Sequence, residues 1–352
     1  MEEQEKTEQH PGEKPKDEAL KNKEITEKTK KEEKETEIKK EKKPFNLLSS
    51  IREVYDKHYK VLMVFPFIIL LLAIFSIAFQ TITTGDFINR DVTLKGGLTI
   101  TIPSENQIDV SALQEHLSRQ FPSNMVSIRK LKRAGSDTGI IIDSDIGEAD
   151  SATLGLFISE IEKSLGTKLE REGYTVEFIG SSLGASFFKE TVRALVIAFI
   201  LMGIVVFITF RVFVPSIAVI LAAFSDIVIT IAVVNLIGMR ISTAGIAAFL
   251  MLIGYSVDTD ILLTTRLLKR KEGTEMERVL SAVKTGVMMT LTTSIAITVG
   301  MIFTESDVIR EIMIILLIGL IADLMNTWIQ NVGILRLYLE REHKKKLAKN
   351  EA

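Results

Sequence analysis

Four aspartates, Asp226, Asp258, Asp260 and Asp323, stand inside stretches of sequence that are otherwise strongly apolar. A carboxylate near the centre of a bilayer costs about 2.5–3.5 kcal/mol on insertion scales, so each must face a protein interior or a wet cavity. The chemistry open to such a group is the uptake and release of a proton. The alternative is structural: a carboxyl group that is protonated, or hydrogen-bonded to Ser, Thr or Asn across a helix contact. Asp258 and Asp260 are two residues apart, about 200° around a helix, and cannot both point into one site. Other chemistries are closed. The 352-residue chain contains no cysteine, hence no disulfide, thiolate ligand or thiol nucleophile. Its four histidines, His10, His58, His116 and His343, lack metal-ligand spacing, so no metal and no cofactor is expected. A Walker-type glycine loop is also lacking.

The elements that must position these aspartates are long helices. The run Val61–Gln80 carries no charge and is long enough to cross a hydrocarbon core of about 30 Å. Five further runs lie near Thr191–Phe210, Val214–Leu236, Ile241–Leu263, Val283–Phe303 and Ile312–Leu335, which predicts six transmembrane helices. Pro66, inside the first, is tolerated in a lipid-buried helix with a kink. Lys and Arg cluster before the first span (Arg52, Lys57, Lys60), between the fourth and fifth (Arg266, Lys269, Arg270, Lys271, Arg278) and from Arg341 to Lys349. That bias places both termini in the cytoplasm of a multi-pass plasma-membrane protein. Small residues on the fourth span, Ala244, Gly245, Ala247, Ala248, Gly254 and Ser256, favour close helix packing. The fifth span (Thr290, Thr292, Thr293, Ser294, Thr298) and the sixth (Asn326, Thr327, Gln330, Asn331) are polar enough to line a proton path or simply to pack.

The tails and the large loop complete the layout. Residues 1–44 hold 13 Lys and 14 Asp or Glu and almost no large apolar residue, the composition of a disordered tail; Lys39, Lys40, Lys42 and Lys43 lie where anionic head groups or a ribosome can attract them. Residues 45–80 read as a juxtamembrane segment with the first helix, 81–190 as an extracytoplasmic domain, 191–338 as helices two to six, and 339–352 as a basic cytoplasmic tail. Within 81–190, β-rich runs at Leu98–Ile102, Val126–Lys132, Gly139–Ile142 and Thr175–Ile179 alternate with two helical patterns. The first presents Val110, Leu113, Leu117 and Phe121 on one face, with Asp109 or Ser111 near its start; the second presents Leu154, Phe157, Ile158, Ile161 and Leu165. The order β-α-β-β-α-β predicts a ferredoxin-like α+β domain. Its exposed sheet face or edge strand suits either an extended polypeptide or a partner subunit.

One helix, a large outer domain and then five helices resemble half of a resistance-nodulation-division transporter. Gly254-Tyr255-Ser256-Val257-Asp258-Thr259-Asp260 with the trailing Arg266, Ser225-Asp226-Ile227-Val228-Ile229-Thr230, and Leu94-Lys95-Gly96-Gly97 resemble the fourth-helix, third-helix and paired-glycine motifs of the SecF family of the SecD/SecF protein-export complex. Thr285, Thr290 and Thr293 echo its fifth-helix threonines. The order Asp258-Thr259-Asp260, with Thr265 and Thr93 where Asp is usual, is closer to an archaeal than a bacterial pattern. The resemblance covers roughly residues 60–340. It implies a SecD partner, a SecYE-type translocon, secreted or membrane polypeptides as substrates within the lipid bilayer, no nucleic acid, and drive from the proton motive force. It also implies that Asp226 and Arg266 inherit the proton role, with Asp258, Asp260 and Asp323 as further candidates.

Two other readings compete. A proton-driven lipid or small-molecule exporter of the same superfamily would need a second half, supplied by a homodimer. An intramembrane aspartyl protease would use two adjacent carboxylates sharing a proton, but its Tyr-Asp and Gly-x-Gly-Asp pairs are lacking, and a non-enzymatic protein is expected.

Overall fold

A computed structural model describes residues 58–350 apart from 105–107, 134–135, 148–150, 170–172 and 270–271. The charged segment 1–44, Arg52, Lys57, Arg270 and Lys271 lie outside the described residues.

Five helices are long and apolar enough to cross a membrane: α1 (Tyr59–Thr84), α5 (Ser181–Phe210), α6 (Phe213–Leu236), α7 (Thr243–Leu268) and α8 (Glu275–Phe303). Their ends follow local chemistry. α1 stops where Gly85, at φ 79°, donates its N–H to Thr81 O. Ser242 caps α7 by accepting from the N–H groups of Ala244 and Gly245, and α8 opens on a capping box of Thr274 with Glu277. α5 begins ten residues before the apolar run, because Ser181–Glu190 is polar yet helical and rises from the lobe described below. α6 and α7 form the centre of the bundle, with Val219, Ala223, Ile227, Phe249 and Leu252 in its core; α1, α5 and α8 turn Phe65, Leu71, Ile200, Ile204, Ile295 and Ile302 outward. That division suits a lipid-facing shell around a packed interior. α9 (Asp307–Met325) carries Arg310, Glu311 and Asp323, gives way to a π-helical turn over Asn326–Asn331, and continues as α10 (Val332–Asn350).

Between α1 and α5 the chain builds a lobe from α2 (Val92–Lys95), β1 (Gly97–Pro103), α3 (Val110–Gln120), β2 (Val126–Arg133), β3 (Ser136–Ser144), α4 (Ser151–Leu165) and β4 (Thr175–Ile179). The four strands pair antiparallel in the order β2-β3-β1-β4. Leu98, Ile100 and Ile102 alternate onto one face, as period-2 side chains must, and meet Leu113 and Leu117 of α3 and Phe157 and Ile161 of α4. Phe121 and Phe157 pack edge to face at 5.0 Å. Asp109 caps α3 with its side chain. Gly96, at φ 88°, lies so close to Ser181 that a Cβ there would strike the α5 backbone, which locks the start of β1 against the start of α5.

The opposite sheet face carries Thr99, Ser127, Arg129 and Asp143. It is not wholly free: it borders a polar cavity of about 370 Å³ shared with Arg240, in the α6–α7 connection, and with Asp307, Arg310 and Glu311 at the start of α9. Arg240 Nη2 donates to Val126 O at 3.4 Å. A second tie is a backbone bridge in which Ile241 N donates to Asn89 O at 2.8 Å and Asp91 N to Ile241 O at 3.0 Å. The Asn235 side chain completes it by accepting from Asn89 N and donating to Phe87 O. The lobe is thus strapped to the connection between the two central helices.

Asp143, almost fully buried, pairs with Arg129 at 2.8 Å. Burial raises its carboxyl above the usual range, and the Arg129 guanidinium opposes the rise. The folded chain therefore binds this proton more tightly than the unfolded chain, and stability is lost as pH rises from about 4 through the raised value. Arg129→Met removes the opposing charge and widens that window, whereas Asp143→Asn abolishes it. Thermal unfolding midpoints of the three proteins across the acid range check both outcomes.

Candidate functional site

Three of the four aspartates meet. Asp226 on α6, Asp260 on α7 and Asp323 on α9 are completely buried. Asp226 Oδ2 accepts from Ser256 Oγ at 2.5 Å and its Oδ1 from Asn326 Nδ2 at 2.7 Å. Asp323 accepts from Thr259 Oγ1 at 3.2 Å and from Thr327 Oγ1 at 2.9 Å. Asp260 Oδ1 accepts from the same Thr327 Oγ1 at 2.9 Å and from Asn331 Nδ2 at 2.7 Å. Thr259 Oγ1 also lies 2.8 Å from Ser256 O, so the residue that bonds Asp226 adjoins the one that bonds Asp323. The result is a string in which the Thr327 hydroxyl lies between Asp260 and Asp323, and neighbouring Ser256 and Thr259 of α7 bring Asp226 beside them. Among the described residues no Lys or Arg side chain pairs with any of the three.

The π-helical turn explains how one helix reaches two neighbours. It presents Asn326 and Gln330 to Asp226 and Ser225 on α6, the latter through Gln330 Nε2 to Ser225 Oγ at 3.3 Å, and Thr327 and Asn331 to Asp260 on α7. Such turns occur often at functional positions within longer helices. Trp328, the single tryptophan of the chain, packs its ring against Gly286 of α8, where a Cβ would collide with it. Glu311, at the lobe end of α9, holds the first turn of α7 by accepting from Ser242 N and Ser242 Oγ, each at 2.8 Å.

Other expected residues lie elsewhere. Asp258 is on the exposed side of α7 with Gly254 and Tyr255, as the 200° separation from Asp260 requires. Gly254 does not serve close packing inside this chain, since a Cβ there would meet nothing; the packed small residues of α7 are Gly245, Ala248 and Ser256. Arg266 is outside the cluster and donates through Nη1 to Ser281 O and Ser281 Oγ on α8. The threonines of α8 do not join the string: Thr285, Thr292 and Thr298 bond to carbonyls of their own helix, although Thr290 is buried. Gly96 and Gly97 shape the entry to β1, far along the chain from the carboxylates.

Five long apolar helices packed around a common interior, with a strapped α/β lobe, define a multi-pass membrane protein. Residues 159–341 match the family described as protein export membrane protein SecD/SecF, C-terminal. The chain is 39% identical over 286 residues to the protein-export membrane protein SecF of Pyrococcus furiosus, covering 81% of this chain and 93% of that one. With SecF of Methanocaldococcus jannaschii it shares 37% identity over 296 residues, covering 83% and 99%. The crystal structure of SecDF from Thermus thermophilus, a translocon-associated membrane protein, superposes with a TM-score of 0.60 at 19% identity; the match covers 80% of this chain but only 38% of SecDF. The chain belongs to the SecD/SecF protein-export membrane protein family, and the two SecF relatives named above are archaeal. It is a protein-export subunit.

Thr327→Val deletes the hydroxyl between Asp260 and Asp323 with little change of volume. It is expected to cost about 1–3 kcal/mol, the penalty for stranding buried polar groups, whereas Thr327→Ser retains most of the stability. Unfolding midpoints of the purified proteins in detergent give the comparison.

Proposed function

We propose that this chain works with SecD as one half of a heteromer that assists a SecYE-type translocon in moving polypeptides across the membrane, driven by the proton motive force and without catalysing a covalent reaction. The observation that carries the reading is the buried string of three carboxylates, with which no Lys or Arg among the described residues pairs. A hydroxyl donates one proton and accepts others, so Thr327 can pass a proton between its neighbours. Thr327 faces two carboxylates with a single proton of its own; a proton on Asp260 or Asp323 completes that bridge. Moving one charge through 100 mV supplies about 2.3 kcal/mol, enough to bias a packed bundle between two arrangements.

The remaining architecture is read in the same terms. The sixth span is α9, the π-helical turn and α10 together. Glu311 sits at the lobe end beside Ser242, while Glu340 accepts from Tyr59 Oη and pairs with Lys60 at 3.2 Å where α1 begins. The 29 helical steps between them reach about 44 Å, the full depth of a bilayer. The basic residues Lys60, Arg266, Lys269 and Arg341 lie towards the end remote from the lobe, which supports the reading that both termini are cytoplasmic and the lobe is outside. The sheet order β2-β3-β1-β4 with two helices on one face supports a ferredoxin-like domain. Asp226 carries the proton, Asp323 and Asp260 continue its path, and Arg266, held by Ser281, marks the cytoplasmic end. Asp258, too costly to leave in lipid, faces the SecD half.

Cells depleted of the native protein and complemented with Asp226→Asn, at matched membrane levels, are expected to lose most gradient-dependent export of a secretory protein. Asp260→Asn should behave similarly. Normal export with Asp226→Asn would reduce the string to a packing device.

A further inference from the structure

The outer wall of the bundle is notched between α5 and α6. A groove of about 450 Å³ runs there, walled by Ile204, Phe207 and Ile208 of α5 and by Phe213, Ile217 and Ile220 of α6. Gly203 makes the notch: a Cβ there would come to 3.4 Å from Ile220 Cδ1, and a longer side chain would occupy the groove. The hydroxyl on its wall, Ser216 Oγ, is spent on Val212 O at 2.8 Å, so the walls offer an occupant no polar partner. Nine helical steps separate Phe199 from Ile208 along the groove, about 14 Å, which is the hydrocarbon depth of one leaflet. Because α5 rises from the lobe at Ser181, this stretch near its other end lies in the leaflet remote from the lobe.

The turn that closes the groove is cationic. α5 stops at Phe210 and α6 starts at Phe213, and the cap residue between them, Arg211, is left-handed at φ 54°. Glycine or asparagine usually fills that cap position, because a Cβ is strained there. Among the described residues Arg211 is the sole non-glycine with positive φ. Its charge is not needed by the carbonyl end of α5, since Lys269 Nζ already donates to Thr209 O at 3.4 Å and stands 5.7 Å over the Phe210 ring. The sequence from Thr191 to Ser225 contains no Asp or Glu, and among the described residues Arg211 forms no ion pair. A strained, exposed guanidinium at the end of an apolar groove is complementary to an amphiphile with a negative head.

We propose that the α5–α6 groove holds one hydrocarbon chain of an anionic membrane phospholipid from the leaflet remote from the lobe, with Arg211 binding the phosphate and Lys269 adding to the local positive field. A lipid satisfies both halves of the site. A free phosphate makes no use of the apolar walls, and an apolar helix of another protein would fill the walls but leave Arg211 unpaired. The site needs only that α5 and α6 span the membrane, whatever drives export.

Thermal unfolding midpoints of the full chain are measured in nanodiscs of phosphatidylcholine with phosphatidylglycerol added in steps, and native mass spectrometry counts the lipid that survives transfer to detergent. A saturable rise of the midpoint with phosphatidylglycerol and one retained lipid per chain are expected, with no rise on adding inorganic phosphate. Arg211→Gly relieves the left-handed strain and should unfold no earlier than the wild type in phosphatidylcholine, yet retain at least about five-fold less phosphatidylglycerol. Gly203→Leu fills the notch and should lose the lipid with Arg211 intact. In native membranes, p-benzoylphenylalanine in place of Ile208 should crosslink to lipid. Undiminished phosphatidylglycerol retention by Arg211→Gly overturns the proposal. An equal midpoint rise with inorganic phosphate also overturns it, by reducing Arg211 to a simple anion site, and so does a crosslink from position 208 to a second polypeptide in place of lipid, which would assign the groove to a protein partner.

Discussion

Removing a carboxylate from water is the constraint around which this bundle is organised. An isolated ionised group in a medium of low polarity is so unfavourable that the surroundings must supply donors or the group must neutralise. Here the donors come from two elements at once: Ser256 and Thr259 of α7, and Asn326, Thr327 and Asn331 of the π-helical turn. That demand places α6, α7 and the α9 rod side by side in the interior, and it leaves the apolar faces of α1, α5 and α8 for lipid. The deviation from α-helical winding belongs to the same demand, since it lets four polar residues of one short segment serve two neighbouring helices. Gly286 in turn is required by the Trp328 ring that the segment carries.

The lobe connects to this interior through a short route. Ile241 bonds to the Asn89 backbone on one side and precedes the Ser242 cap of α7 on the other, and that cap is gripped by Glu311 of α9. One continuous set of backbone and charge-assisted hydrogen bonds therefore runs from the base of the lobe to two of the helices that bear the carboxylates. Arg240, burdened by burial yet surrounded by Asp91, Asp143 and Asp145, reinforces the contact from the side of the sheet. Interactions that involve an ionised partner are the stronger ones of their kind, so this region holds the base of the lobe against α7 and α9.

Much of this was legible in the chain itself, because long uncharged runs and period-2 alternation are direct consequences of solvent partition. The strands lie where Leu98–Ile102, Val126–Lys132, Gly139–Ile142 and Thr175–Ile179 place them, and the separation of Asp258 from Asp260 follows from helix geometry alone. The ends of elements were harder. α5 starts at Ser181 because tertiary packing against Gly96 sustains polar turns that hydropathy cannot recognise. The outward face of Gly254 was hidden for a related reason: a small residue permits a close approach without revealing whether a neighbour exists in the same chain. The π-helical turn left only a compositional trace, the run Asn-Thr-Trp-Ile-Gln-Asn within an apolar helix. Which carboxylates share a hydroxyl depends on contacts such as Thr259 with Asp323 and Thr327 with Asp260, 64 and 67 positions apart, and no local pattern encodes those.

The strap at Asn89 and Ile241 has a mechanical consequence. The lobe stands on three feet. Two are covalent, the ends of α1 and α5, and the line between them is an axle that cannot part without breaking the chain. The third is a handful of hydrogen bonds and one arginine at the hairpin joining the central helices. A body supported in this way has a single soft direction, a tilt about the axle that lifts the releasable foot. The lever arm of such a tilt grows with distance from the axle, so the strand edges farthest from the helices are the part of the lobe whose position depends most on that third foot.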